Sequence, residues 1–181
     1  MDIHVAQLLK ESVGATRDHE LDEVADDPAE AGYEWARGPI RLTRTPQGIL
    51  AQGELTAGYR DTCSRCLTDF AGPLTLSIED EFYPTIDVVT GRSVEAPDDI
   101  DGFPIDAGHQ IDLRDAVRQA AWLERSLAPL CRPDCAGLCP QCGRDLNTGR
   151  CDCRPEAIDA RWANLARWDD GSAGHADVKE G

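Results

Sequence analysis

The sequence lacks any long apolar run, which limits the places where the protein can act. No stretch among its 181 residues approaches the roughly 18 consecutive apolar residues that a membrane-spanning helix needs. The first residues, Met1-Asp2-Ile3-His4, include no basic segment followed by an apolar one, so no secretory signal is predicted. We therefore expect a soluble cytoplasmic protein with no membrane partner and with thiols in a reducing compartment. A secreted protein that has already lost its signal is the alternative.

Lysine is scarce, since Lys10 and Lys179 are the only two among 18 basic residues, and the net charge is −16. Such a charge disfavours nucleic-acid binding, which needs cations against the phosphates. The acidity is uneven: residues 1–111 hold 22 acidic and 8 basic side chains, whereas residues 112–168 hold 8 and 9. Any RNA contact is therefore expected in the C-terminal part. The preference for arginine is itself better explained by a GC-rich genome, since alanine is also abundant.

Patterns typical of an active site are also missing. The sequence has no glycine-rich loop that could cradle a phosphate. Its four histidines are isolated, and none has the spacing of a nucleophile–base pair. We therefore predict that the protein is not an enzyme.

Alternating apolar and polar residues predict an α+β fold whose sheet is mainly antiparallel. Residues 39–59 indicate a hairpin with its turn at Pro46-Gln47-Gly48, and residues 74–82 alternate like a half-buried strand. Residues 3–10 fit either a short helix or an edge strand. The fold class is therefore α+β, with one or two helices and a C-terminal zinc-knuckle module.

Two acidic segments predict irregular structure. Residues 18–35 contain Pro28 and Gly32, which indicates a loop or an irregular edge. Residues 87–110 combine several acids with proline and glycine, which predicts a long mobile excursion.

Helical periodicity follows near the C-terminal part of the chain. Asp112 can cap a helix that Pro129 ends, and Pro155 is well placed to begin a second helix. The predicted apolar face of the first helix comprises Leu113, Val117, Ala120, Leu123 and Leu127. We expect an acidic core domain at 1–130, a cysteine-rich metal-binding module at 131–168 and a disordered tail at 169–181.

Eight cysteines point to a definite chemistry. They form four closely spaced pairs: Cys63-x2-Cys66, Cys131-x3-Cys135, Cys139-x2-Cys142 and Cys151-x-Cys153. A Cys-x2-Cys loop lets two thiolates face one ion at about 2.3 Å, and four pairs complete two tetrahedral sites with none left over. The sequence thus predicts two zinc ions, each held by four cysteines, with iron–sulfur chemistry as the alternative.

The spacing also predicts how the pairs combine. Cys139-Pro140-Gln141-Cys142-Gly143 is typical of a zinc knuckle, in which glycine allows the backbone to tighten the loop. With Cys151-Asp152-Cys153 it forms a local site, and the other four cysteines then tie the strand connection to the end of the helix. The alternative grouping puts cysteines 131, 135, 139 and 142 in one site and cysteines 63, 66, 151 and 153 in the other.

Two catalytic interpretations of the cysteines are less favoured. A thioredoxin-type Cys-x2-Cys pair needs a low-pKa thiol at a helix N-terminus, whereas Cys63 and Cys66 lie between two predicted strands. A catalytic zinc keeps an open coordination position, which normally comes with fewer protein ligands. Structural metal sites fit the sequence better than either alternative.

The order of motifs resembles the YceD family, also called DUF177, in the Gram-positive and actinobacterial form with extra C-terminal cysteines. The resemblance runs from about residue 3 to residue 168. Its residues are Cys63-Ser-Arg-Cys66-Leu67, Phe70, Pro73-Leu74, Phe82-Tyr83-Pro84, Ile111-Asp112-Leu113, Leu130 to Asn147, Cys151-Asp-Cys153 and Ile158 to Leu165. Family members without the later cysteines keep the first pair and a counterpart of the 131–135 pair, which favours the predicted grouping.

The resemblance implies a non-catalytic cytoplasmic factor needed for 23S rRNA accumulation and large-subunit biogenesis. Its implied partners are precursor 23S rRNA or an assembling large subunit, and a basic ribosomal protein is a further candidate. Candidate contact residues in the cysteine-rich part are Arg144, Arg150, Arg154 and Arg161. A zinc-stabilised protein–protein adaptor and a thiol oxidoreductase or redox sensor are the alternatives.

Overall fold

The computed structural model describes residues 2–95, 102–153 and 161. The chain divides into two compact units, Met1–Gly137 and Leu138–Gly181. In chain order the elements are β1 (Asp2–His4), α1 (Ala6–Lys10), β2 (Thr16–Val24), α2 (Pro28–Ala31), β3 (Trp35–Arg44), β4 (Ile49–Thr62), β5 (Asp69–Pro84), β6 (Phe103–Ile105), β7 (Gln110–Asp112) and α3 (Arg114–Glu124). This division places residues 131–137 in the first unit, and the predicted domain limits stay a prediction.

The first unit is built on a five-stranded sheet in the order β2-β3-β4-β5-β6. Neighbours from β2 to β5 are antiparallel, and the short β6 runs parallel to β5. A separate two-stranded sheet joins β1 to β7. The predicted α+β class with a mainly antiparallel sheet is confirmed.

The predicted hairpin is formed by β3 and β4. At its turn the Thr45 backbone N–H donates to the Gly48 carbonyl at 3.0 Å, and the Thr45 hydroxyl accepts from the Gly48 N–H at 2.9 Å. A Cβ on Gly48 would lie 1.9 Å from the Phe82 carbonyl oxygen, so only glycine fits this close approach of the turn to β5. The predicted strand at 74–82 lies within the longer β5.

The core lies on one face of the sheet, against α3. In β4 the odd-numbered Ile49, Ala51 and Leu55 are buried, whereas the even-numbered Gln52 and Glu54 are exposed. Strand alternation therefore gives the sheet one apolar face and one open, polar face. The residues that α3 buries are Ala116, Val117, Ala120 and Ala121.

Part of the predicted apolar face of α3 is wrong. Leu123 and Leu127 are 84% and 105% exposed, and α3 ends at Glu124. The buried stripe includes the predicted Val117 and Ala120 together with Ala116 and Ala121, which were not part of the predicted face. At about 100° per residue, Leu123 lies roughly a quarter turn from the centre of that stripe.

The acidic segment predicted as a loop contains strand β2, which pairs with β3 along all nine of its residues. Leu21 is buried at 2% exposure, and charged neighbours lie on the open face. There Asp18 and Asp22 accept hydrogen bonds from Arg41 and Arg37, each at 2.7 Å. The acidic composition predicted a loop because composition alone does not show that arginines of β3 lie opposite the acids of β2 and offset much of their charge.

The described part of the segment 87–110 is also more regular than predicted, since it contains β6 and the first residue of β7, whereas positions 96–101 lie outside the described residues. Residues 3–10 contain both of the structures that the sequence allowed, because β1 precedes α1. The N-cap of α3 is Leu113 rather than the predicted Asp112, although the Asp112 carboxylate accepts from the Arg114 backbone N–H at 3.0 Å. The helix predicted from Pro155 and the tail at 169–181 lie outside the described residues.

None of the helices in the described ranges is long and apolar enough to span a membrane.

Candidate metal centres

The eight cysteines lie in two groups of four, grouped as their spacing predicts. The first group comprises Cys63, Cys66, Cys131 and Cys135, and the second comprises Cys139, Cys142, Cys151 and Cys153. Within each group all sulfur atoms lie within 4.8 Å of one another. The alternative grouping across the two clusters is therefore wrong.

Sulfur distances in the first group fit a tetrahedral ion and exclude a disulfide. The Cys63 and Cys135 sulfurs are 3.7 Å apart, and so are those of Cys66 and Cys131. Four sulfurs at about 2.3 Å from one central ion lie about 3.8 Å from each other, whereas a disulfide needs about 2.05 Å. The donor set and the spacing therefore fit a zinc-type site.

A tight turn presents the first pair of cysteines. The Cys63 backbone N–H donates to the Thr68 carbonyl at 3.0 Å, and the Leu67 N–H donates back to the Cys63 carbonyl at 2.9 Å. Leu67 adopts a φ of 57°, a left-handed conformation that is uncommon for a leucine. The turn joins β4 to β5, and no helix begins there, so a thioredoxin-type arrangement is absent from this part of the described chain.

The second pair of the first group is tied to this turn by backbone contacts. The Ser64 N–H donates to the Pro129 carbonyl at 2.8 Å, and the Arg65 guanidinium donates to the Cys135 carbonyl at 3.0 Å. Gly137 has a φ of 74°, and a Cβ there would lie 3.1 Å from the Arg65 carbonyl oxygen. The cysteine spacing alone did not predict this role of Arg65, although its place inside the Cys63–Cys66 loop was a usable signal.

Electrostatics in the first group favour a cation at its centre. Backbone N–H groups of Cys131, Cys66 and Arg65 lower the pKa of Cys63 to about 6, although burial opposes this change. Burial and hydrogen bonds to the neighbouring sulfurs raise the pKa of Cys131 to about 12. Crowded sulfurs cannot all ionise together, and a divalent cation removes this conflict by stabilising every thiolate.

The second group uses the same kind of turn. The Cys139 N–H donates to the Arg144 carbonyl at 2.9 Å, and the Gly143 N–H donates to the Cys139 carbonyl at 2.9 Å. Gly143 has a φ of 69°, which glycine adopts at little cost. Leu138 and Asp145 form an isolated antiparallel bridge that closes the turn.

Titration in the second group follows the same pattern, but its sulfurs are more accessible. Backbone N–H groups of Cys142 and Gln141 lower the pKa of Cys139 to about 6. The thiol hydrogen bond to Cys142 raises the pKa of Cys153 to about 12. Cys142 and Cys153 are exposed, whereas Cys63, Cys66 and Cys135 are buried.

Two of the four candidate contact arginines can be placed in detail. Arg144 and Arg150 are both exposed, and the Arg144 guanidinium donates to the Arg150 carbonyl at 3.0 Å. Arg161 is exposed and makes an interaction, but its neighbours on both sides in the sequence lie outside the described residues. Arg154 lies outside the described residues. The Arg144 guanidinium therefore binds the backbone of its own loop, whereas the guanidinium of Arg150 lies at the surface.

A second arginine feature lies near the first group and was not anticipated. Arg125 follows α3 and donates to the Asp61 carboxylate at 2.7 Å, two residues before Cys63. The same guanidinium lies 4.7 Å from the Trp122 ring centroid and 5.7 Å from that of Tyr59. The hydrogen bond from Arg125 holds the pKa of Asp61 below its ordinary value. This contact anchors the end of α3 beside the strand that leads into the first turn.

The described residues define a small α+β protein with two clusters of four cysteines in metal-binding geometry. The family model for the large ribosomal RNA subunit accumulation protein YceD matches residues 51–167. Because this match spans more than half of the chain, the protein belongs to the YceD family.

Relatives in bacteria and plants are consistent with this family. An uncharacterized protein of Mycobacterium tuberculosis is 35% identical over 155 residues, which cover 81% of this chain and 72% of that protein. A Zea mays protein is named large ribosomal RNA subunit accumulation protein YCED homolog 1, chloroplastic. It is 40% identical over 57 residues, which cover 31% of this chain and 19% of the plant protein. No solved structure matches the chain.

Proposed function

We propose that this protein is a non-catalytic, zinc-binding cytoplasmic factor required for 23S rRNA accumulation and large-subunit biogenesis. The observation that supports it most is the combination of YceD family membership with two four-cysteine groups of tetrahedral spacing. Each group would hold one Zn²⁺ through its four thiolates. Zinc has no redox chemistry of its own, so its contribution at these closed sites is to cross-link the chain.

The positions of the cysteines in the sequence explain how such a cross-link would stabilise the fold. In the first group the turn at Cys63–Cys66 is joined to Cys131 and Cys135, more than sixty residues further on. Closing so long a loop favours the folded state by restricting the unfolded chain. Backbone N–H groups hold the Cys63 sulfur ready as a thiolate, so the site is partly organised in advance.

We propose that the partner is precursor 23S rRNA or an assembling large subunit, contacted through the arginines of the cysteine-rich part. The balance of charge supports this placement, because the acidic residues are concentrated before residue 112. Arg150 is the cleanest candidate, since it is exposed and its guanidinium has no partner among the described residues. A basic ribosomal protein is the further candidate partner, suited to the acidic first unit.

Gradient sedimentation of cell lysate tests this function. We expect tagged protein to co-sediment with free or precursor large subunits that contain unprocessed 23S rRNA, and to be absent from translating ribosomes. Arg150→Gln should weaken this association about tenfold without loss of zinc. Arg92→Gln, an exposed arginine of the first unit, is the matched control and should leave it unchanged.

Two results would contradict the proposal. Protein found only at the top of the gradient, under gentle salt and after crosslinking, would favour a protein–protein adaptor outside the ribosome. Equal sedimentation of the Arg150→Gln variant and the wild type would exclude Arg150 as a contact and move the interface to the acidic unit.

A further inference from the structure

Strand β2 leaves one long edge of the main sheet open. It is the first strand in the order β2-β3-β4-β5-β6, and its nine residues pair with β3 on one side. No strand in the described ranges pairs with its other side. The strand at the opposite edge, β6, has three residues. An antiparallel edge of this length presents a row of unpaired N–H and C=O groups that can accept another strand.

Charge along this edge selects the kind of strand that can be added. Three of the β2 residues on the open face are acidic: Asp18, Glu20 and Asp22. Asp18 and Asp22 are held by Arg41 and Arg37, but Glu20 is exposed and makes no ion pair with a described residue. Glu54 of β4, on the same open face, is likewise unpaired among the described residues. Negative charge that no described cation offsets therefore lies at Glu20, at the centre of the edge.

This charge disfavours a second copy of the chain as the occupant. Two β2 strands meeting edge to edge in the antiparallel sense would place Asp18, Glu20 and Asp22 opposite one another. Like charges directly across a strand pair are destabilising, and charged side chains on an edge strand are a common means of preventing self-association. Nucleic acid is disfavoured for the same reason, because its phosphates would face the same carboxylates.

We propose that β2 is a docking edge for an extended basic protein segment, which adds as a further strand of the sheet. Lysine or arginine at alternate positions of that segment would lie on the open face beside the acids of β2, with its central cation against Glu20. Main-chain hydrogen bonds provide the affinity in this mode, and the alternating charges select the partner. The inference deepens the proposed function and rests on it only for the partner's identity as a basic component of the assembling subunit.

Binding of a synthetic peptide to the full-length, zinc-loaded protein tests this proposal. The probe is a capped peptide of about ten residues, in which lysine and threonine alternate, matched to the usual length of a strand. We expect binding by fluorescence anisotropy, together with slower hydrogen exchange of amides within residues 16–24. The matched control peptide has the same side chains but N-methylated alternate amides, and we expect it to bind at least about tenfold more weakly.

Variants separate the edge from general charge attraction. Glu20→Lys should weaken binding of the first peptide about tenfold. Glu124→Lys makes the same change of net charge at the end of α3, on an exposed residue, and should leave binding unchanged. Unaltered zinc content and circular dichroism would show that both variants are folded.

Three outcomes would overturn the proposal: no binding of the alternating peptide, equal binding of the N-methylated peptide, or equal weakening by the two variants. Each of these can occur whether or not the protein sediments with precursor large subunits. A failure of strand addition is thereby distinguished from a failure of the proposed function.

Discussion

The two cysteine turns of this chain share one backbone geometry and differ in their surroundings. In each, the N–H of the first cysteine donates to a carbonyl five residues on, at 3.0 Å for Cys63 and 2.9 Å for Cys139. In each, the pKa of the first cysteine is lowered to about 6 by backbone N–H groups: that of Cys131 first and then those of Cys66 and Arg65 for Cys63, and those of Cys142 and Gln141 for Cys139. The local sequence therefore builds the same half-site twice.

The second half of each site is what differs. The first turn finds its partner cysteines 65 residues or more away, and three of its four cysteines are buried. The second turn finds its partners within Cys151–Cys153, and Cys142 and Cys153 are exposed. One site therefore closes a long loop of the folded domain, whereas the other organises a short local segment. The difference predicts unequal consequences when each site is damaged.

The largest expected effect is the loss of the first unit's stability in Cys66→Ala. Removing one ligand opens the site that joins β4 and β5 to the segment after α3. We expect a loss of several kcal/mol, a large part of the stability of an ordinary domain. Circular dichroism during heating, together with zinc content, measures this loss.

Cys142→Ala is the matched control for that variant. It should lower the zinc content from two ions per chain to one, while the main thermal transition of the first unit moves little. If Cys66→Ala and Cys142→Ala unfolded indistinguishably, the distinction between a tying site and a local site would be wrong.

Metal removal should also distinguish the two cysteine groups, with an effect of intermediate size on the protein. We expect a chelator to remove zinc in two phases, the faster from the second group, because exposed sulfurs are attacked without unfolding the domain. Low pH should act in the same order. Protons compete with zinc for thiolates. Because the first cysteine of both turns has a similar pKa, the difference in burial between the two groups is expected to set the order of zinc release.

A chromogenic zinc indicator follows the two phases. In Cys142→Ala the faster phase should be absent and the slower one retained. A single phase with the full amplitude of two ions in the wild type would contradict the predicted order.

The smallest effect concerns the residue that follows each turn. Leu67 and Gly143 occupy equivalent positions, with φ values of 57° and 69°. A left-handed conformation costs a leucine about 1–2 kcal/mol, but glycine loses more entropy on folding. Because Leu67 is 65% exposed, we expect Leu67→Gly to raise the free energy of unfolding by about 0.5 kcal/mol.

Chemical denaturation at saturating zinc measures this difference. The reciprocal Gly143→Leu variant is the control, and it should destabilise the second unit by about 1 kcal/mol. A Cβ at position 143 has no neighbour within 4 Å, so conformation alone decides that result. If Leu67→Gly lowered the stability instead, the exposed leucine side chain would have to make a stabilising contact.

Much of the site could be predicted because its information is local. A Cys-x2-Cys loop followed by a residue in a left-handed turn is specified within six residues, and both turns have this form. The compact spacing of Cys139 to Cys153 predicted one group, and the other followed from the cysteines that remained. The partners of Arg65 and Arg125 could not be predicted in this way, because Cys135 and Asp61 are distant in sequence.

By itself the sequence determined the two cysteine turns, the β3–β4 hairpin and the uneven charge, because each depends on neighbouring residues or on composition. Only the tertiary structure decided that the acidic segment at β2 is a strand and that Leu123 is exposed. Arginines of β3 offset the charges of β2, and Val117 with three alanines of α3 forms the buried face of the helix, which lies against β5. Both outcomes depend on which elements become neighbours, and that choice is made by packing across the whole domain.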